Sequence, residues 1–190
     1  MAKQQKIKTK KTAKKSFYEV EAPLTSTKIH LYGASKEELE GKTIKLDLTK
    51  SLRGKNLELK LRVEKDGEKL QAIPKSTQLV SSYLKRVMRK GTDYAESSFE
   101  TECKDCVAKA KILLVTRKRV SRVVLKTLRE NAQKHLSPYI KTRNAEEIFS
   151  EIISNKLQKQ LAAKLKKIYP LALCEIRIFE VLRPLKEKKE

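Results

Sequence analysis

Leu57, Leu59, Leu61 and Val63 alternate with polar residues, and Asp66-Gly67 follows at once, with Leu70 and Ala72 beyond it. A period of two places the four apolar side chains on one face of an extended strand. Asp-Gly tolerates the positive φ angles of a tight turn, so the whole stretch reads as a β-hairpin. Ile44, Leu46 and Leu48 alternate in the same way and predict a neighbouring strand. Phe17, Val20 and Ala22, followed by Pro23, predict an extended opening segment, and Ile29 and Leu31 alternate with polar neighbours. Tyr94 to Cys103 and Cys106 to Thr116 predict a second hairpin, with Ala108, Ala110, Ile112 and Leu114 sharing a face. Ile176 and Ile178, alternating with Arg177 and Phe179, predict a closing strand.

Other stretches have the helical period. From Ser76, the residues Leu79, Val80, Tyr83, Leu84, Val87 and Met88 fall on one helical face, and Gly91 supplies a stop. Val120, Val123, Val124, Thr127, Leu128 and Leu136 predict a helix that ends before Pro138. Asn144 and Glu147 have capping-box spacing ahead of the stripe Ile148, Phe149, Ile152 and Ile153. Leu157, Leu161, Leu165 and Ile168 continue that stripe as a second helix after Asn155, until Tyr169-Pro170 ends it. Residues 36–40 are a short acidic patch ending at Gly41. Strands and helices thus come in mixed order, with at least two hairpins and no internal repeat. That predicts an α+β fold: one domain with a curved, largely antiparallel, barrel-like sheet and several flanking helices, plus a basic N-terminal arm. The expected boundaries are a flexible basic arm at 1–15, a globular domain at 16–185 and a charged tail at 186–190.

Charge narrows the function. Among 190 residues, 45 Lys and Arg stand against 23 Asp and Glu, a formal charge of +22. A domain this basic repels itself until a polyanion neutralises it, and a pI near 9.9 exceeds the ~9 that marks a nucleic-acid footprint. The longest aliphatic run, Ile112 to Val115, is far short of the ~20 residues of a membrane span. Neither a secretory leader nor a lipidation signal is visible. Nucleic acid is therefore the expected partner, ahead of a membrane surface or an acidic protein.

The cations are clustered. Lys3, Lys6, Lys8, Lys10, Lys11, Lys14 and Lys15 crowd the first 15 residues without a carboxylate. Lys85, Arg86, Arg89 and Lys90 fall in the last turn of an expected helix, where they suit either the helix dipole or a phosphate. Arg117, Lys118, Arg119 and Arg122 form a third group, and Lys156, Lys159, Lys164, Lys166 and Lys167 a fourth. With 5% aromatic residues, no Trp and no aromatic string of the RNA-recognition-motif kind, a base-stacking platform is not expected. Contacts to phosphate, with Arg forking onto its oxygens, fit better. Phe17 and Tyr18 anchor the arm either on a base or in the domain core; the core is favoured because Val20 and Ala22 continue the apolar side.

Catalysis finds no support. His30 and His135 are far apart, Gly-rich phosphate loops are absent, and no nucleophile motif or acid pair is recognisable. Cys103-Lys104-Asp105-Cys106 has metal-like spacing, but structural zinc needs four ligands, and only Cys174 and the two histidines remain to complete a set. A two-residue turn with the thiols facing one another fits the hairpin better. No cofactor or small-molecule substrate is implied.

Three stretches carry a family resemblance. Ser16-Phe17-Tyr18-Glu19-Val20-Glu21-Ala22-Pro23, just after the lysine arm, resembles the opening of the archaeal and eukaryotic small-subunit ribosomal protein family called "S one e", formerly "S three A". Val115-Thr116-Arg117-Lys118-Arg119 is similar to that family's basic segment after a hairpin. Ile168-Tyr169-Pro170-Leu171 and Leu182-Arg183-Pro184-Leu185-Lys186 resemble its helix stop and closing strand. The resemblance spans roughly residues 14–186, and the short termini and the long helical stretch Glu146 to Lys167 resemble an archaeal member. It implies a structural constituent of the small ribosomal subunit, in the cytoplasm. Ribosomal RNA would be bound on the platform near the messenger exit, among neighbouring platform proteins and close to messenger RNA. A free-standing RNA chaperone or messenger-binding initiation accessory would use the same charge. A nuclease or RNA-modifying enzyme would need a carboxylate cluster or nucleotide loop.

Overall fold

A computed structural model describes residues 14–52, 54–67 and 69–185. The mixed α+β expectation holds. Eight strands form one mostly antiparallel sheet: β1 Ser16–Ala22, β2 Thr27–Gly33, β3 Thr43–Asp47, β4 Leu57–Asp66, β5 Lys69–Leu79, β6 Tyr94–Glu102, β7 Cys106–Thr116 and β8 Leu171–Pro184. The helices are α1 Lys36–Leu39, α2 Ser81–Val87, α3 Arg122–Lys141, α4 Ala145–Ile153 and α5 Lys156–Leu165. The main path of the sheet runs β2-β1-β5-β8-β7-β6, with β4 on the other side of β5 and β3 beyond it. Among the described strands, only β1 and β5 run parallel, through Val20↔Leu70 and Glu21↔Gln71. The sheet does not close: the described strands β2 and β6 end its path without pairing with each other.

The Asp66-Gly67 hairpin forms as expected, with Asp66 opposite Lys69 and Gly67 at φ +60°. Leu57, Leu59, Leu61 and Val63 are all fully buried. The expected helix from Ser76 starts late, because β5 runs on to Leu79 and α2 begins only at Ser81. Ser76, Thr77 and Gln78 lie between β4 and β8 and pair with both, so two ladders override the helical period. Pro74 sits in β5 beside a bulge, where a missing N–H does little harm.

β8 corrects a second expectation. Three register shifts against β7 each insert one extra residue into β8: Leu182, Arg177 and Ala172. Bulges bend a strand and change the phase of its side chains. Because Arg177 is skipped, Ala110 pairs with Phe179 and Ile112 with Ile176, so Phe179 and Ile176 face the core and Ile178 is only half-buried. The Phe179 ring meets Phe149 of α4 edge-on at 5.0 Å, tying helix to sheet.

α3 passes through Pro138 instead of ending before it. Pro138 is exposed, while Leu136 and Ile140 on either side are buried, so burial of that stripe outweighs one lost hydrogen bond. Asn144 caps α4 by position, but its side chain makes no capping bond. Tyr139 and Arg143 both donate to Glu151, the former at 2.8 Å, and this joins α3 to α4. α5 follows as a separate helix, as expected, with Leu157, Leu161 and Leu165 buried and Ile168 40% exposed beyond its end.

One buried cation fixes the loop before β4. Lys55 donates to Glu175 of β8 at 2.5 Å and to Asn155 at 2.6 Å, and Asn155 holds the left-handed conformation (φ +59°) between α4 and α5. Three distant segments therefore meet at one ammonium.

The opening segment splits. Tyr18, Val20 and Ala22 share one face of β1; Val20 and Ala22 are buried, and Tyr18 packs against the core and donates to the Ala34 carbonyl. Phe17 is out of phase with them by one residue and stands 73% exposed. The core assignment holds for Tyr18 and fails for Phe17, by strand alternation.

Candidate nucleic-acid interface

The segment 117–121 links the end of β7 to α3, and two residues hold its shape. Thr116, fully buried, donates its N–H to the Asp93 carbonyl at 2.9 Å and accepts the Asp93 N–H on its hydroxyl at 3.1 Å. The same hydroxyl lies 2.8 Å from the carbonyl oxygens of both Asp93 and Lys118. The Asp93 carboxylate accepts the Val120 N–H at 2.9 Å. These bonds grip the turn at both ends, so Arg117, Lys118 and Arg119 project as exposed side chains from a fixed backbone. Arg122, also exposed, opens α3, whose first turn has no acid and whose N-cap Ser121 makes no side-chain bond. A cation there faces the positive end of the helix dipole, an arrangement that an arriving anion relieves.

The chain fold brings separate basic clusters to this segment. Arg86, Arg89 and Lys90 from the end of α2 line a surface concavity of about 550 Å³ together with Arg117. A second concavity, about 200 Å³, has Arg117 and Lys166 in its wall, beside Pro170. Arg117 thus borders both, and three of the four clusters converge on it. Lys85 and Arg89 are exposed, whereas Arg86 is partly committed to the fold. Its guanidinium donates to the Gly54 carbonyl at 2.9 Å and to Asn56 at 3.1 Å, and lies 5.4 Å from the Tyr83 ring centre. Among the described residues, Lys85, Arg89, Arg117, Lys118, Arg119 and Arg122 form no ion pair with a carboxylate. Lys156, Lys159, Lys164, Lys166 and Lys167 are exposed on or just after α5.

Other candidates lie elsewhere. Lys3, Lys6, Lys8, Lys10 and Lys11 fall outside the described residues; Lys14 and Lys15 are exposed just ahead of β1, which β5 and β8 separate from β7. The sequence reading gave Asp93 no role and placed Thr116 only at a strand end and in the basic segment, without its hold on the turn. An isolated acid beside a strand carries no signal until the β6–β7 register sets it opposite the basic turn.

Cys103 and Cys106 face one another across the β6–β7 turn, as the spacing predicts: the Cys103 N–H donates to the Cys106 carbonyl at 2.7 Å. All three cysteines are free and buried. Cys106 pairs with Pro184 but Leu114 pairs with Cys174, which sets Cys174 ten residues away along β8. Among the described residues, no three metal-ligating side chains come together. Burial, then the neighbouring Cys106, pushes the Cys103 thiol up to about 12. Burial, then Glu175, does the same to Cys174, also to about 12. A thiol whose pKa is raised by folding keeps its proton while the unfolded chain loses it near 9. Its contribution is complete below that pH and is lost as pH rises from about 9 toward 12. Denaturant midpoints measured across pH 8 to ~11 are expected to fall more steeply for the parent than for the Cys103→Ala/Cys174→Ala variant. Parallel curves would refute this assignment.

The sequence model of the Ribosomal S3Ae family matches residues 3–184, nearly the whole chain. The chain belongs to the Ribosomal S3Ae family. Within that family, the small ribosomal subunit protein eS1 of Pyrobaculum neutrophilum is 27% identical over 201 residues, covering 100% of this chain and 90% of that protein. The protein of the same name from Methanothermobacter thermautotrophicus is 28% identical over 100 residues, covering 52% of this chain and 51% of its own. That from Pyrobaculum islandicum is 26% identical over 146 residues, covering 76% and 66% respectively. Membership of the S3Ae family agrees with the resemblance carried by residues 16–23, 115–119 and 168–186. No helix among the described residues is long and apolar enough to cross a membrane.

Proposed function

We propose that this chain is a structural constituent of the small ribosomal subunit that holds ribosomal RNA through backbone phosphates. The observation that carries the reading is the convergence of three basic clusters on Arg117, around a turn fixed by Asp93 and Thr116, in a member of the S3Ae family. A single cluster is ordinarily a solvated face. Three that border adjoining concavities, with no carboxylate partners among the described residues, make a surface on which a polyanion gains contact at several points. Phosphate contacts of this kind fix position and read shape, and carry no base sequence. The reading further puts the chain in the cytoplasmic ribosome, on the platform near the messenger exit, beside neighbouring platform proteins. Its role there is architectural rather than catalytic, and the lysine arm at 1–15 extends the same contact along RNA.

Sedimentation of a cell extract through sucrose tests this. The chain is expected in the small-subunit fraction and is expected to stay there through a high-salt wash. Release into the light fractions at high salt would instead make it an accessory of initiation or a free RNA chaperone, and would overturn the assignment as an integral component.

A further inference from the structure

β1 and β2 pair with Phe17 opposite Tyr32, and the next pair on the same face sets Glu19 opposite His30. Paired residues of an antiparallel ladder project to one side, so this edge of the sheet carries a short row of ring side chains in solvent. Phe17 is 73% and Tyr32 57% exposed, and their ring centres lie 5.1 Å apart at an angle of 50°. The Lys15 ammonium lies 5.9 Å from the centre of the Tyr32 ring, within reach of a cation–π contact. The two carboxylates along this face each have a lysine: Glu19 has Lys28 at 3.4 Å, and Glu21 has Lys69 at 3.9 Å. Glu38, close enough to interact with Lys15, is itself paired with Lys42 at 3.2 Å, so each of these described carboxylates has a lysine partner.

Core packing does not account for this pair, because the opposite face of β1, with Val20 and Ala22, supplies the burial. We infer that Phe17 and Tyr32 form a stacking site for an unpaired RNA base, with Lys15 and its neighbour Lys14 on the flanking phosphates. The occupant follows from the chemistry of the site. An exposed aromatic face beside the exposed Lys14 and Lys15 matches the flat base and charged backbone of a single strand, which stacks without sequence preference. An apolar protein segment would match the rings but not the lysines. Composition argued against a stacking platform but left Phe17 either on a base or in the core, and its exposure beside Tyr32 favours the base. The inference rests on the RNA-binding reading above and adds a second, chemically different contact, on the β1–β2 edge rather than at Arg117.

The test uses the full chain and two probes: a single-stranded oligouridylate of roughly ten nucleotides, and an abasic strand of the same length. Phe17→Ala/Tyr32→Ala is expected to weaken oligouridylate binding by about 5- to 150-fold, the equivalent of ~1–3 kcal/mol of stacking. The slope of log K against log salt should stay as in the parent, since no cation is removed. Binding of the abasic strand should not change, and Phe17→Trp should keep parent affinity. Thermal melts confirm that the variant folds. Unchanged oligouridylate affinity, or an equal loss on both probes, overturns the stacking site alone and leaves the phosphate reading standing. If the parent binds neither probe at low salt, the RNA reading fails and takes this inference with it.

Discussion

Replacing Arg117, Lys118, Arg119 and Arg122 together by serine is expected to flatten the salt dependence of RNA binding by roughly 3 units of slope, at ~0.7–0.9 for each of the four phosphates no longer neutralised. Log K falls linearly with log salt, so three units amount to about a thousandfold in affinity at ~0.1 M salt. The fold should survive. All four side chains are exposed, and the turn that carries them is held by Asp93 and Thr116, which the variant retains. The same bonds explain why the effect is concentrated here. A backbone already fixed loses little freedom when an anion docks, so less of each interaction is offset by ordering. Filter binding to a structured RNA at four or five salt concentrations reads the slope directly. A slope equal to the parent's, even with weaker binding, would mean that these cations do not sit on phosphate.

The largest expected effect on stability lies at a buried ion pair rather than on that exposed surface. Lys55→Met leaves the buried Glu175 carboxylate without its cation and Asn155 without its donor. Removing one partner of a buried pair costs about 3–5 kcal/mol, because the remaining charge is stranded. For a domain of this size that lowers Tm by roughly 6–20 °C. The double variant Lys55→Met/Glu175→Leu should recover much of the loss, since apolar replacement of a whole buried pair is often close to neutral. Lys28→Ala, which breaks a solvent-exposed pair with Glu19, should cost less than ~1 kcal/mol. Differential scanning calorimetry of the three variants separates the cases. A Lys55→Met melt within a degree or two of the parent would sink the claim that this ammonium ties loop, helix junction and strand together.

Much of the fold was legible because burial here follows simple alternation. Leu57 to Val63, the Asp66-Gly67 turn and the Ala108-to-Leu114 face each declare strand and facing from local order alone. The misreadings come where a non-local partner changes the local period. Ser76 to Gln78 read as helix because nothing local reveals two flanking strands. Ile176 and Ile178 read as alternating with Arg177 and Phe179 because a bulge at Arg177, set by β7, is silent in the sequence of β8. Capping signals shifted too. Ser35 and Glu38 form a working box around α1, with the Glu38 N–H donating to the Ser35 hydroxyl at 3.3 Å and the Ala34 N–H donating to the Glu38 carboxylate at 2.9 Å. That four-residue helix was read only as an acidic patch, while the box expected at Asn144 makes no side-chain bond. The candidate interface was legible as charge and not as geometry. Runs of Lys and Arg mark themselves, but their meeting at Arg117 depends on the crossing of α2, β7 and α5. Lys55 shows the converse: its structural role as a buried cation is one that only the folded chain distinguishes.

The open sheet bears on how such a chain survives before it reaches a partner. β2, β3 and β6 each leave one side of their backbone unpaired among the described strands, and such borders invite copies of the same chain to zip together. A formal charge of +22 keeps those copies apart. Mutual repulsion therefore protects the newly made molecule, and a stray polyanion that cancels the charge without covering the borders would remove that protection and promote clumping.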